Sequence, residues 1–220
     1  LKTHAKMMLI TRREGKSLKR YGHLSTGNYN PRTAKLYTDI SHLTADVGIT
    51  AEMDQVFVHL ASQSKLPRMR HLWMAPFHLH RNLIAKIDTL GRAAEAGKDT
   101  RIVAKMNSLT DEALVRSLIA AGQQGVKIDL IVRGACVVPA QVPGYTDNIR
   151  VRSVIGRLLE HSRVFYFRLE EADELYLSSA DWMNRNMMRR VELAWPVTDA
   201  GLRQRLVDEC LVAYLHDGID

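Results

Sequence analysis

Two rhythms of apolar and polar positions alternate along this chain. The opening stretch, Leu1-Lys2-Thr3-His4-Ala5-Lys6-Met7-Met8-Leu9-Ile10, reads as a strand running to about Arg12, and Glu14-Gly15-Lys16 turns it into a second strand from about Leu18 to Leu24. A period of two puts His4 and Lys6 on one face of the first strand and Thr3 and Ala5 on the other. Ser25 to Arg32 is a loop of small and amide residues whose backbone N–H groups are available to an anion. From Ala51 to about Gln63, Met53, Val56, Phe57 and Leu60 recur at helical spacing and predict a packed helix.

Lys65-Leu66-Pro67-Arg68-Met69-Arg70 ends that pattern with a proline and three cations, which places a boundary between a unit of residues 1–70 and one of residues 71–220. Strands and helices then alternate. His71–Pro76 predicts a strand, His80–Ala96 a helix closed by Gly97, Thr100–Met106 a strand, and Asp111–Ala121 a helix followed by Gly122 and Gly125. Val126–Val132 is almost unbroken apolar sequence, the mark of a strand covered on both faces. Gly134–Asn148 reads as a loop, Ile149–Val154 as a strand, and Asp199–Leu215 as an amphipathic helix through Leu202, Leu206, Val207, Cys210, Leu211 and Tyr214. The expected fold is an α/β mixed-sheet sandwich.

The 220 residues are 46% hydrophobic and 25% charged, which suits a folded globular chain and excludes a disordered one. Apolar runs fall well short of the roughly 20 residues that span a bilayer, and the expected location is the cytoplasm. A net charge of +7 favours an anionic partner: nucleic acid, nucleotide, polyphosphate or an acidic membrane surface. Cys136 and Cys210 have no Cys-x-x-Cys spacing, so neither a zinc site nor a disulfide framework is expected.

The candidate chemistry comes from a repeat. His4 pairs a neutral imidazole, able to attack phosphorus near pH 7, with an ammonium two positions on that suits anionic oxygens. Leu159-Glu160-His161-Ser162-Arg163-Val164-Phe165-Tyr166-Phe167 restates the pattern with His161 and Arg163. A turn at Glu170–Asp173 and a strand at Glu174–Leu177 lead to Ser178-Ser179-Ala180-Asp181-Trp182, which parallels Ser25-Thr26-Gly27-Asn28-Tyr29. The separation is 24 residues from His4 to Asn28 and 20 from His161 to Asp181, a difference that a hairpin loop absorbs. Two similar units are therefore expected to meet across a pseudo-twofold, each giving one histidine strand to a shared cleft. Only three residues precede His4, so most of the first unit's sheet is expected to lie outside this sequence.

With these motifs in order, the chain resembles the type 1 polyphosphate kinases. The resemblance is carried by Lys2-Thr3-His4-Ala5-Lys6, Thr26-Gly27-Asn28-Tyr29-Asn30-Pro31-Arg32-Thr33-Ala34, Leu36-Tyr37-Thr38-Asp39, Ala104-Lys105-Met106-Asn107, Ile131-Val132-Arg133-Gly134, Leu159-Glu160-His161 and Ser178-Ser179-Ala180-Asp181-Trp182-Met183. It implies a phospholipase D-like fold: the end of one catalytic domain and most of a second. It also implies reversible transfer of the terminal phosphate of ATP, with Mg2+ and no organic cofactor, to inorganic polyphosphate. His4 takes the place of the phosphate-accepting histidine and His161 that of the second catalytic histidine. Tyr37 and Arg133 match nucleotide-contacting positions, and Lys6, Asn28, Arg32 and Arg163 are candidates for phosphate. No nucleic-acid partner is expected, and the whole enzyme is expected to be a homo-oligomer in the cytoplasm, with attachment to a membrane left open by the charge. Departures from the family pattern are Ser25 for a common glycine, Gly22 for a bulkier residue, and Val138-Pro139-Ala140 without an arginine.

Two other readings compete. A phosphodiesterase on the same scaffold would carry His-x-Lys with an Asp after four more residues, but Thr11 stands there, and the second copy has Arg163 for Lys. A non-enzymatic polyanion-binding module explains the charge and leaves the paired histidines without a role.

Overall fold

The computed structural model describes residues 1–216. What reads as one opening strand is two. β1 (Lys2–Thr3) ends before His4 and β2 (Lys6–Glu14) begins after Ala5, so His4 stands in a break and not on a strand face. Competing partners cause the break. β1 is held by a strand far along the chain, whereas β2 turns at Gly15, with φ of 61°, into β3 (Ser17–Ser25), paired from Lys6 with Ser25 to Glu14 with Ser17.

After the loop come β4 (Tyr37–Thr38), β5 (Ser41–Thr44) and α1 (Val47–Ser62). The Asp46 carboxylate accepts the Ile49 N–H at 2.8 Å and starts α1 four residues before its apolar periodicity begins. Ile49, Met53 and Val56 are buried, but Phe57 and Leu60, expected in the packed face, are exposed. They lie past the last buried turn, where α1 runs on toward residues 63–70.

The alternating section follows as β6 (Trp73–Ala75), α2 (Leu79–Glu95), β7 (Thr100–Met106), α3 (Glu112–Gln123), β8 (Lys127–Val132) and β9 (Ile149–Arg152). These match the predicted elements to within a few residues. Then the break recurs: β10 (Leu159–Glu160) and β11 (Arg163–Leu169) leave His161 and Ser162 between them, so His161 also lies off the strand expected to carry it. β12 (Ala172–Ser178) leads to α4 (Asn184–Arg189) and β13 (Arg190–Pro196), neither of which the periodicity predicted. Glu192 interrupts the apolar run of β13, yet it is fully buried. The closing helix is not continuous: α5 (Ala200–Val207) widens through a π turn at Asp208–Val212 before α6 (Ala213–His216), and Leu202 is exposed.

The main sheet runs β1-β13-β12-β11-β7-β8-β9, with β6 also on β13. It is mixed. β7, β8 and β9 are parallel, β11, β12 and β13 antiparallel to their neighbours, and β1 parallel to β13. One face packs on α2 and α3 through Leu83, Ile87, Leu114 and Leu118; the other packs on α1, β3 and the closing helix through Met53, Leu24 and Leu211. This is the expected mixed-sheet sandwich. Its second core joins residues on both sides of position 70.

Candidate active site

Each histidine is delivered by a reciprocal exchange of short strands. β1 pairs in parallel with the start of β13, Lys2 with Arg190 and Thr3 with Val191. β10 pairs in parallel with β4, Leu159 with Tyr37 and Glu160 with Thr38. In both cases the next residue of the receiving strand is acidic and the chain carrying the histidine breaks beside it. His4 Nδ1 lies 2.9 Å from both carboxylate oxygens of Glu192, and His161 Nδ1 lies 2.8 Å from Asp39 Oδ1. Each half of the molecule thus supplies the carboxylate that orients the other half's imidazole.

The acidic partners are fixed in turn. Ser179 Oγ donates to Glu192 at 2.5 Å and Asn186 Nδ2 at 2.7 Å, while Thr26 Oγ1 donates to Asp39 at 2.8 Å. Thr26 and Ser179 occupy matching places in the two copies of the small-residue loop. A Cβ on Gly27 would fall inside the Asp39 carboxylate, so glycine is required there. The departures at Ser25 and Gly22 are also accommodated. Ser25 Oγ accepts the Gly27 N–H at 3.1 Å, and a Cβ on Gly22 would come 2.6 Å from Met53 Sδ in α1.

With Nδ1 of each ring donating to a carboxylate, Nε2 carries the lone pair; that of His4 is available for attack, while that of His161 faces Arg163. Burial pushes the His161 pKa below its ordinary value, against the pull of the Asp39 hydrogen bond and with help from the nearby charges of Arg163 and Lys6. His161 is therefore neutral at pH 7. Arg163 is itself buried, with Nη1 3.1 Å from His161 Nε2, 2.9 Å from the His161 carbonyl and 3.2 Å from the Thr26 carbonyl. Its other end holds Asp181, with Nη2 3.1 Å from Oδ2. Burial alone would raise Asp181, but the Arg163 charge and the Asn107 N–H bring its pKa below the ordinary carboxylate value.

Lys6 is the counterpart of Arg163 and differs in one respect. It is 6% exposed and its Nζ has no hydrogen-bond partner. Burial brings its pKa down to about 8, although Glu192, Asp39 and Asp181 all act to raise it. An ammonium so placed, with acidic groups near and none bonded, is an open position for anionic oxygen.

The predicted site residues fall into three groups. His4, Lys6 and Asn28 line one open depression, with Tyr29 and Arg190. The Tyr37 ring lies 5.0 Å from the His161 ring, and Arg133 reaches the same place through Asn107, whose Oδ1 accepts from Arg133 Nε at 3.0 Å while its Nδ2 donates to the His161 carbonyl at 3.5 Å. Arg32 stands apart: it is exposed, its N–H donates to Asn30 Oδ1, and the described contacts do not bring its side chain into the cluster. Sequence reasoning missed Asp39 and Glu192, although Asp39 stands in the same motif as Tyr37 and the two carboxylates occupy matching places in the two copies. Among the described residues no group of three His, Cys, Asp or Glu side chains forms a metal site, and no helix is long and apolar enough to cross a membrane.

Comparison with known proteins supplies an independent line. The family profile "Polyphosphate kinase C-terminal domain 2" matches residues 72–220, and "Polyphosphate kinase C-terminal domain 1" matches residues 1–66. A polyphosphate kinase of Burkholderia multivorans is 50% identical over 220 residues, covering 98% of this chain and 32% of that protein. One from Xylella fastidiosa is 46% identical over 219 residues, covering 100% and 31%. The crystal structure of polyphosphate kinase from Porphyromonas gingivalis superposes with a TM-score of 0.92 at 35% identity, covering 100% of this chain and 34% of that one. The chain spans about a third of the length of the curated relatives it matches.

Proposed function

The chain belongs to the polyphosphate kinase family, and on that premise we propose that the protein of which it forms part reversibly moves the terminal phosphate of ATP onto inorganic polyphosphate through a phosphohistidine at His4. The observation that carries this reading is the buried, unpartnered ammonium of Lys6 set among two histidine–carboxylate pairs. His4 Nε2 attacks the γ-phosphorus in line, the bond to the bridging oxygen breaks, and ADP leaves with that bond's electron pair. Glu192 at Nδ1 stabilises the cationic phosphoimidazole. The terminal oxygen of a polyphosphate chain then attacks the phosphorus and returns His4 to its neutral form. Lys6 and Arg163 offset charge on the transferring group, the larger part of what a protein contributes to phosphoryl transfer.

His161 faces the nucleotide beside Tyr37, whose ring offers a stacking surface for adenine, and Arg133 extends the cationic wall. As a neutral imidazole polarised by Asp39, His161 is suited to exchange a proton with the oxygen at which the P–O bond forms or breaks. Asn28 borders the phosphate path, and Arg32 is placed to meet the polyanion farther out. Glu192, Asp39 and Asp181 are each held by histidine or arginine, so a Mg2+ ion would be held by the phosphate oxygens of the nucleotide and not by these carboxylates. When bound it neutralises charge on the phosphate oxygens. The location is cytoplasmic, the whole enzyme is a homo-oligomer, nucleic acid is not its substrate, and residues 1–70 and 71–220 belong to two successive catalytic units.

Incubating the full-length protein with ATP labelled at the γ-phosphate tests the reading. The expected result is an acid-labile, base-stable protein label and labelled polymer. An unlabelled protein that cleaves phosphodiesters would support the phosphodiesterase alternative, and unchanged ATP with polyanion binding would support a non-catalytic module.

A further inference from the structure

Lys105 lies in β7, in the middle of the sheet, and is 2% exposed. Its Nζ donates to Ser162 Oγ at 2.7 Å and to the Ser162 carbonyl at 3.3 Å, and lies 3.2 Å from Glu160 Oε2. These are the two residues flanking His161. One buried ammonium therefore grips the chain on both sides of the imidazole, at the break between β10 and β11 where no continuous strand ladder fixes it.

The Glu160 oxygen that meets Lys105 also accepts from Thr38 Oγ1 at 2.9 Å and from Tyr214 OH at 2.8 Å. Thr38 lies between Tyr37, which faces the His161 ring, and Asp39, which orients it. Tyr214 comes from the closing helix, and Lys105 Nζ stands 5.3 Å from the centre of its ring. A single carboxylate oxygen thus joins β4, β7, β10 and α6 directly behind the catalytic face. An isolated ammonium this deep is unfavourable, and burial indeed lowers its pKa. A surface hydrogen bond would be a cheaper way to hold a loop, so the arrangement points to a requirement for rigidity at this place.

We propose that Lys105 is a positioning residue for His161, acting through Glu160 and Ser162, and that Tyr214 extends the same clamp to the closing helix. The proposal rests on the phosphoryl-transfer reading only for its kinetic consequence; its structural content is independent. The charged groups acting most strongly on the His161 ring are Asp39, Arg163 and Lys6, with Asp181 also coupled to it, while the bonds of Lys105 Nζ go to the flanking residues Ser162 and Glu160.

The test uses Lys105→Met with Glu160→Gln in the full-length protein, a pair that removes both charges of the ion pair and keeps side-chain volume. Ser162→Ala, which removes one arm, is the milder second variant. The first readout is the His161 titration followed by NMR with labelled histidine and assigned with His161→Gln. Loosening the clamp hydrates the ring, relieves the burial that depresses its pKa, and moves the midpoint upward, more in the double variant than in Ser162→Ala. The second readout is kcat, expected to fall at least about tenfold in the double variant, because small displacements of a reacting group cost rate steeply. A His161 midpoint unchanged in both variants overturns the proposal. If wild type forms no phosphohistidine, the functional reading fails, but the NMR comparison still decides the clamp.

Discussion

At the scale of single residues, the site depends on groups that are costly to keep and are kept. Lys6 is the clearest. Its pKa of about 8 lies below the ordinary 10.5, so the folded state disfavours the charged form by on the order of 3 kcal/mol at pH 7. The folded protein binds fewer protons than the unfolded chain between about pH 8 and 10.5, so this contribution adds stability as pH rises through that window. Lys6→Met should therefore raise the melting temperature at pH 7 while ATP-dependent phosphorylation falls by at least about a hundredfold, measured by calorimetry and labelling. In wild type, affinity for the phosphate chain should weaken as pH passes 8. A melting temperature lowered by Lys6→Met would show the ammonium to be structural. Gly27→Ala should displace Asp39, freeing the His161 ring; kcat is expected to drop about tenfold or more while His4 can still be phosphorylated.

How far the site was legible differs by residue. His4 and His161 stood out because the pattern around each recurs, and Tyr37 and Arg133 because they sit in motifs that resemble a family. Glu192 did not, and Asp39 passed unnoticed in the same motif as Tyr37, since a carboxylate in or beside a strand is ordinary in sequence and becomes special only when a strand from the other half lies beside it. Arg32 was chosen for its motif alone, and the described contacts do not bring its side chain to the cluster. Its position in a motif says nothing of where the side chain points.

At the scale of elements, the decisive devices are the two-residue strands β1 and β10. Too short for any periodicity to reveal, they are defined wholly by parallel partners on the opposite half. The long elements were legible because β8, α2 and α3 bury complete faces. β13 was not, because a carboxylate buried among its apolar residues breaks the pattern. Both His4 and Ala5 donate backbone N–H groups to the Val191 carbonyl, at 2.9 and 3.0 Å. Ala5→Pro removes one of these donors without touching the His4 imidazole. It should slow His4 phosphorylation about tenfold, read in single-turnover kinetics, with little change in nucleotide affinity. Equal loss of affinity would mean that β1 shapes the nucleotide pocket as well.

At the scale of the whole molecule, the boundary near residue 70 divides the sequence more cleanly than it divides the core. Leu24, Ile49, Met53 and Val56 are fully buried in one cluster with Leu72, Met74 and Trp195. Each such side chain contributes roughly 1.5–3 kcal/mol when removed from water. Residues 71–220 produced alone should therefore melt well below the whole chain and lose near-ultraviolet signal from Trp195, a comparison for circular dichroism. Coincident melting would show the second unit to be self-sufficient. Because each histidine takes its carboxylate from the other half, neither half can assemble the site alone, and the 220-residue chain, about a third of its relatives' length, should turn over ATP far more slowly than the full protein.

The most direct test of the account is to map the phosphorylated residue by mass spectrometry after exposing the full-length protein to ATP under conditions that preserve phosphohistidine. Phosphate is expected on His4, persisting when His161 is replaced by alanine and absent when His4 is. Phosphate on His161 instead, or its survival in the His4→Ala variant, would contradict the assignment.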